Sequence, residues 1–258
     1  MKLATFNING IKARIDALPR WLEIARPDVV ALQEIKSVDE AFPRALFEDL
    51  GYRVETHGQK GFNGVAILSR LPLEDVTRGL PGDDSDEQAR VIAATLDTPD
   101  GPLRLVNCYF VNGQEPGSEK FAYKLQWLAA LQRWIAEEMQ AHPRLVLVGD
   151  FNVAPEDRDS FDPVGLKDTI HHTVEERQHF QDLIALGLTD TFRMFEQPEK
   201  SYSWWDYRML GFQKNRGLRI DHILVSDALK ARARADLGAD HALDAALAAI
   251  GVIRPPKA

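Results

Sequence analysis

An α/β layered domain with a mixed sheet is the fold class this sequence predicts, and three observations predict it. Seven short apolar runs of strand length punctuate the chain, at 2–8, 28–33, 63–69, 90–96, 103–110, 145–149 and 218–225. Helical periodicity fills intervals between them, at 12–25, 39–50, 119–141 and 175–186, and strands interspersed with helices stack as layers. The runs 63–69, 90–96 and 103–110 follow one another with only turns between. Part of the sheet must therefore be antiparallel, and a purely doubly wound topology is not supported.

Each element has its own signature. KLATFNI opens the chain as a strand. The first helix puts Ile15, Leu18, Leu22 and Ala25 on one face, and the long helix at 119–141 does the same with Phe121, Leu125, Leu128, Leu131 and Ile135. LVLV at 145–148, bounded by Pro143 and Gly149, reads as a fully buried central strand. The last run, LRIDHILV, carries an acid, Asp221, between Ile220 and Ile223. No linker, repeat or low-complexity tract divides the 258 residues, which read as one domain (1–258) whose stretch 227–258 is atypical.

Bulk properties narrow the class. The composition is that of an ordinary soluble globular protein, with no signal-peptide pattern and no run of membrane-spanning length. The only cysteine, Cys108, excludes an internal disulfide, suits a reducing cytoplasm, and reads as a small buried filler. A net charge of −8 argues against coating nucleic acid through bulk charge, but not against an enzyme with one local basic face.

The polar residues at strand ends point to chemistry. The runs deliver Asn7 and Asn9; Glu34; Asn107, Tyr109 and Asn112; Asp150 and Asn152; and Asp221. Side chains two apart on an extended chain share a face, so Asp150 and Asn152 should aim together at one spot. Asp and Asn are also ordinary turn formers, and that stretch alone leaves both readings open. Five strands ending in carboxylates, amides or a phenol weigh towards a site. A buried acid such as Asp221 must be paired or bound. These are hard oxygen ligands with no cysteine–histidine cluster of zinc spacing, a set that fits Mg²⁺ or Mn²⁺ and the activation of a phosphoryl group.

The stretches FNING, LQE, NCYFVNG, GDFN, GSEKFAYKLQWL and SWWDYRMLGFQKNRGLRIDH, in that order over residues 1 to about 226, resemble the exodeoxyribonuclease III family of abasic-site endonucleases, within the endonuclease/exonuclease/phosphatase superfamily. The resemblance implies a four-layered α/β sandwich, two mixed β-sheets packed face to face with helices outside. It implies a Mg²⁺-dependent phosphodiesterase acting as a monomer on double-stranded DNA, cutting 5′ to abasic sites and trimming 3′ ends. Glu34 would be the metal ligand with Asn7 adjacent, and Asp150 and Asn152 would border the metal. Asp150 would position or deprotonate the water, or protonate the leaving oxygen. Asn152 would donate to the phosphoryl oxygen, Tyr109 would contact the phosphate or leaving group, and Asp221 would orient a histidine base. Val111 stands where family members have proline.

Substrate recognition falls in 201–219. One of the adjacent Trp204 and Trp205, with Phe212, would wall a pocket for a flipped-out baseless sugar. Arg208, Lys214, Arg216 and Arg219 against Asp206 form a local basic face for tracking phosphates, with Arg90 and Asn112 as further backbone contacts. This tryptophan-rich basic stretch argues against an inositol-phosphate or sphingomyelin phosphodiesterase of the same superfamily. His171, His172 and His179 read as surface or loop histidines.

The resemblance fails at the tail. Family members open their final strand with Ser-Asp-His-Ala-Pro. Here Asp240-His241 is followed by ALDAALAAI, whose Leu243, Leu247 and Ile250 recur at helical intervals. Either His241 is the base, or RPPKA is the run-up to a motif that the chain lacks. The second case predicts a DNA-binding protein of the same fold with impaired catalysis, and a neighbouring strand with an unpaired edge.

Overall fold

The computed structural model describes residues 1–82 and 88–233. Ten strands build two sheets. The smaller sheet holds β1 (Leu3–Asn7), β2 (Val29–Gln33), β3 (Arg53–His57) and β4 (Val65–Ser69) in the order β1-β2-β4-β3. Its β1–β2 pair is parallel and the others are antiparallel. The larger sheet holds β5 (Leu73–Arg78), β6 (Val91–Leu96), β7 (Leu103–Tyr109), β8 (Leu145–Asp150), β9 (Leu188–Asp190) and, skipping two short strands, β12 (Asp221–Ser226), in the order β5-β6-β7-β8-β12-β9. Only β7–β8 is parallel there. The short β10 (Trp204–Trp205) and β11 (Gly217–Leu218) pair as a separate hairpin.

Four layers follow from the alternation of side chains along strands buried on both faces. Val29, Ala31, Val65 and Ile67 of the small sheet meet Ile92, Ala94, Leu105, Val146, Val148 and Val225 of the large one, filling the seam between the sheets. The opposite face of the small sheet, with Val30, Leu32, Ala66 and Leu68, takes α1 (Ala17–Ala25) and Phe47 of α2 (Arg44–Glu48). The opposite face of the large sheet takes α3 (Glu119–Ala141) and α4 (Val174–Ala185), through Trp127, Leu131, Ile135, Phe180 and Leu183. A last short helix, α5 (Asp227–Ala233), packs Leu229 into the seam cluster. The sandwich and its mixed sheets are those expected. No described helix is long and apolar enough to cross a membrane.

Several boundaries differ from the sequence reading. Residues 39–50 yield only the five-residue α2, because Pro43 bars an α-helix from running through it. The run 218–225 divides: Leu218 belongs to β11, and Arg219 and Ile220 separate it from β12. On α3 the buried face carries Lys124 and Trp127, while Leu125 is only half-buried. Cys108 is the buried filler expected. Among the described residues β1 pairs only with β2. Residues 234–258, including Asp240, His241 and the helical stretch expected there, lie outside the described residues.

Candidate active site

Strand alternation assembles the site. Leu3 of β1, Ala31 of β2, Leu105 of β7, Val148 of β8 and Ile223 of β12 all face the inter-sheet seam. Two residues further along each strand in the appropriate direction, the same face presents Thr5 and then Asn7, Gln33, Asn107 and then Tyr109, Asp150, and Asp221. The apolar seam thus ends in a polar mouth. Asp150 and Asp221 are direct register partners across β8 and β12.

Glu34 breaks the alternation usefully. It follows Gln33 and would point away from the seam on an extended chain, but its φ of 51° swings it back. Asn7 Nδ2 then donates to Glu34 Oε1 at 2.9 Å and to Asp150 Oδ2 at 2.8 Å. Lys36 pairs with Glu34 Oε2 at 2.8 Å, and the Tyr109 hydroxyl hydrogen-bonds the same carboxylate. Arg90 stacks on the Tyr109 ring, 4.9 Å from its centroid, and donates to the Tyr109 carbonyl. Arg90 is almost wholly buried and also grips Gln88, so it reaches the site through Tyr109.

Asn152 also lies in the left-handed region, at φ 51°. Two-residue alternation therefore does not aim it alongside Asp150; a turn does, and Asp150 Oδ1 accepts from the Asn152 N–H at 3.0 Å. Asn152 Nδ2 donates to the Phe110 carbonyl, and its Oδ1 accepts from Asn112 Nδ2 at 3.1 Å. The Asn7 Oδ1 accepts from the Asn9 N–H. Neither amide oxygen faces the carboxylates. The turn is possible because Gly149, at φ 144°, sits where a Cβ would lie 1.8 Å from the Cys108 carbonyl oxygen.

The charges are unevenly held. Burial pushes the Asp150 carboxyl up to about 6, against hydrogen bonds from Asn7 and the Asn152 N–H, with the Glu34 charge adding to the rise. Asp221 is raised too, by burial and then by the Asp150 charge, with only Ser203 opposing. Burial also raises Glu34, but hydrogen bonds from Asn7, Lys36 and Tyr109 and the Lys36 charge outweigh it, leaving the carboxyl below its usual range. The Tyr109 phenol is raised by burial and by the Glu34 and Asp150 charges, so it is a donor. A mouth with one firmly ionised carboxylate and two strained ones suits a hard cation. Its donors, the carboxylates of Glu34, Asp150 and Asp221 with the Asn7 amide, are the oxygen-rich set that a hard divalent ion takes.

The 201–219 stretch forms the rim. Trp204 is exposed and Trp205 packs inward, its ring 5.1 Å from Phe212 and its Nε1–H donating to Asn215. Lys214 and Arg216 are exposed. Arg208 is exposed but clamped on Asp206. Arg219 does not belong to the basic face. It is buried, paired with Asp159 at 2.6 Å and Asp190 at 2.8 Å, and donates to His222 Nδ1 at 2.9 Å.

Beneath the site lie residues the sequence reading passed over. Lys124 and Glu176 are paired with no solvent exposure. His171 Nδ1 is 2.6 Å from the Asn152 carbonyl oxygen, and His172 is buried. The reading of surface or loop histidines holds in its loop half for these two, since the loop before α4 tucks under the β8 turn, and fails for His179, which lies half-buried on α4. The signal for Lys124 was present, since it falls between Phe121, Leu128 and Leu131 at helical spacing.

A model of the endonuclease/exonuclease/phosphatase family matches residues 4–242. Exodeoxyribonuclease III of Haemophilus influenzae is 42% identical over 244 residues, covering 90% of each chain. A Neisseria structure described as the 3′ phosphatase NExo bound to product DNA hairpin superposes with a TM-score of 0.86 at 45% identity, covering 90% of this chain and 88% of that one. An AP endonuclease from Archaeoglobus fulgidus superposes at 0.84 with 35% identity, covering 90% and 88%.

Proposed function

This chain belongs to the endonuclease/exonuclease/phosphatase family, in its exodeoxyribonuclease III branch of hydrolytic DNA-repair nucleases, and we propose that it is a Mg²⁺- or Mn²⁺-dependent phosphodiesterase that trims the 3′ ends of duplex DNA and cuts at abasic sites. The observation that carries the reading is the meeting of Asn7, Glu34, Tyr109, Asp150 and Asp221 at one mouth of the seam. The Haemophilus relative of 42% identity is named an exodeoxyribonuclease, the Neisseria structure of 45% a 3′ phosphatase and the Archaeoglobus one of 35% an AP endonuclease, which ranks 3′-end trimming first. The same reading makes the chain a single-domain monomer of the cytoplasm.

Nucleases of the family depend on a divalent metal. Glu34 would hold the ion here, and a hard divalent ion supplies charge neutralisation on the phosphoryl oxygens. Asn7 sets the distance between Glu34 and Asp150 by donating to both. Asp150, buried and held by Asn7, takes the proton of the attacking water. The amides of Asn112 and Asn152 offer donors to the phosphoryl oxygen as its charge develops. Tyr109 offers its phenol O–H as a hydrogen-bond donor on the leaving side, and Arg90 keeps Tyr109 in place. Trp205 and Phe212 receive the terminal or baseless sugar, and Trp204, Arg208, Lys214 and Arg216 follow the backbone.

The sequence carries a second reading, in which DNA is bound but cut slowly: the alanine- and leucine-rich stretch after His241 does not open a strand as a base-bearing motif would, and His241 lies outside the described residues. One experiment separates the readings: single-turnover cleavage of a hairpin with a 3′-phosphate and of a duplex with an abasic analogue, in Mg²⁺, beside binding measured in chelator. Cleavage of the hairpin faster than the abasic duplex supports the first reading. Tight binding with cleavage slowed by about 10²–10⁴-fold, the usual worth of general acid–base help, supports the second. Hydrolysis of an inositol-phosphate head group with neither DNA cut would overturn both.

A further inference from the structure

We propose that Lys124 is a positioning residue, which holds the carbonyls of Asn112 and Asn152 from beneath and so fixes the two amides that face the phosphate; the inference rests on the phosphodiesterase reading above. Lys124 projects from the inner face of α3, in a row of Phe121, Leu128 and Leu131 where an apolar residue would pack. Its ammonium has three protons and three acceptors. It donates to the Asn152 carbonyl at 2.8 Å, to the Asn112 carbonyl at 3.2 Å and to Glu176 Oε1. The stem passes so close to the loop after β7 that a Cβ at Gly113 would lie 2.9 Å from Lys124 Cδ, and Gly113 has φ 86°.

Stability does not explain this pair. A buried ion pair replaced by apolar groups of similar size is often neutral or better for stability. What an apolar pair could not do is hold two carbonyls. Asn152 needs such holding, because its backbone sits in the left-handed region and its peptide groups must stay there through turnover. Its N–H is taken by Asp150, and its carbonyl oxygen by Lys124 and His171. The side chain then bridges Phe110 and Asn112, which leaves the second N–H of each amide for the phosphate.

The anchor of Lys124 is itself fastened. Glu176 closes a capping box with Thr173 at the start of α4, and its Oε1 also accepts from the His171 N–H. One carboxylate thereby ties α4, the histidine loop and α3 to the underside of the β8 turn. Burial lowers Lys124 below the usual lysine range, with the Glu176 charge and hydrogen bond working against that fall.

The test uses paired substitutions that leave no buried charge alone. Lys124→Met with Glu176→Met removes both the charges and the donors; Lys124→Gln with Glu176→Gln removes the charges but keeps N–H groups for the carbonyls. The readouts are kcat and KM on the 3′-phosphate hairpin in Mg²⁺, with thermal unfolding as the check on folding. We expect the Met pair to lose about 10²-fold in kcat, the scale of a 1 Å misplacement, with KM and the unfolding midpoint close to those of the unchanged chain. The Gln pair should recover at least about tenfold of that loss, since its donors remain. A folded Met pair with full kcat, a loss confined to KM, or a folded Gln pair no better than the Met pair overturns the proposal. If the Met pair does not fold, a folded Gln pair slower by more than about 10²-fold overturns it, and one within about tenfold supports it. If the unchanged chain cuts no DNA, the phosphodiesterase reading has failed instead.

Discussion

Asp150 and Asp221 stand opposite each other across the β8–β12 ladder, two carboxyls on one face at the same level of the seam. Like charges placed so close and buried raise each other's affinity for a proton. The metal-free protein therefore holds at least one of them at a cost, which a bound cation would offset.

Asp150→Asn should show that cost. Its carboxyl is raised from 3.8 to about 6 and is nearly inaccessible to solvent. We expect the metal-free variant to be more stable than the unchanged chain at pH 7 by about 1–2 kcal/mol, a discounted conversion of the shift. Cleavage should fall by about 10²–10⁴-fold while DNA binding is kept. Chemical denaturation beside single-turnover rates checks both halves. Lower stability together with an equal loss of binding would mark the residue as structural.

Metal removal gives a direct test of the mouth. With oxygen donors and amides only, chelator should abolish cleavage, and Mg²⁺ or Mn²⁺ should restore it. Full activity in EDTA, or rescue by zinc alone, contradicts the assignment of Glu34.

The basic residues of 201–219 should divide into two classes. Lys214→Ala and Arg216→Ala should each weaken DNA binding with little regard to sequence and lower the slope of log affinity against log salt by about 1. Arg208→Ala should do less, since Asp206 already holds that guanidinium. Arg219→Ala should instead destabilise the fold by about 3–5 kcal/mol, because Asp159 and Asp190 are left buried without it. Salt titrations and unfolding curves of the four variants decide it.

His222 supplies a pH prediction. Burial and then the Arg219 charge hold its imidazole well below the usual range, and it is neutral between Arg219 and the Val153 carbonyl. A base depressed in the folded state takes up protons first when unfolded. Its contribution to stability is thus present above about pH 6.5 and is lost as pH falls below it. His222→Asn should flatten the dependence of unfolding free energy on pH between about 6 and 5 by as much as about 1.4 kcal/mol per unit. An unchanged slope would mean that the folded protein protonates His222 as readily as the unfolded chain does.

Much of this architecture could be read from the chain, for reasons that particular residues make plain. The stretches 29–32, 65–68, 91–94 and 145–148 are apolar without a break because both faces are covered. β5 was not legible: LEDVTR lies at a sheet edge, and its side chains are exposed or half-buried. Nor was β9, three residues long and dependent on β12 for pairing. At the site, residue types and strand ends indicated Asn7, Glu34, Tyr109, Asp150 and Asp221. The turns that aim Glu34 and Asn152 could not be foreseen, since left-handed φ in those residues is set by tertiary contacts. Arg219 looked like a phosphate contact because its neighbours in sequence are basic, whereas its partners Asp159 and Asp190 are 60 and 29 positions away (219 − 159 and 219 − 190).

The two sheets meet through more than oil. Gln33 of β2 donates to Asn107 Oδ1 of β7 at 2.7 Å, and Asn107 Nδ2 donates to the carbonyls of Leu32 and Ala66 at 2.9 Å each. These bonds cross the seam one residue before Glu34 and two before Tyr109. Apolar faces can slide over each other with little change in energy, but directional bonds of this kind admit one alignment. The mouth takes Asn7 and Glu34 from one sheet and Tyr109, Asp150 and Asp221 from the other. It therefore works as a vernier: each sheet could be folded faultlessly and, with the pair displaced by a single notch, the chain would own every catalytic group and have no catalyst.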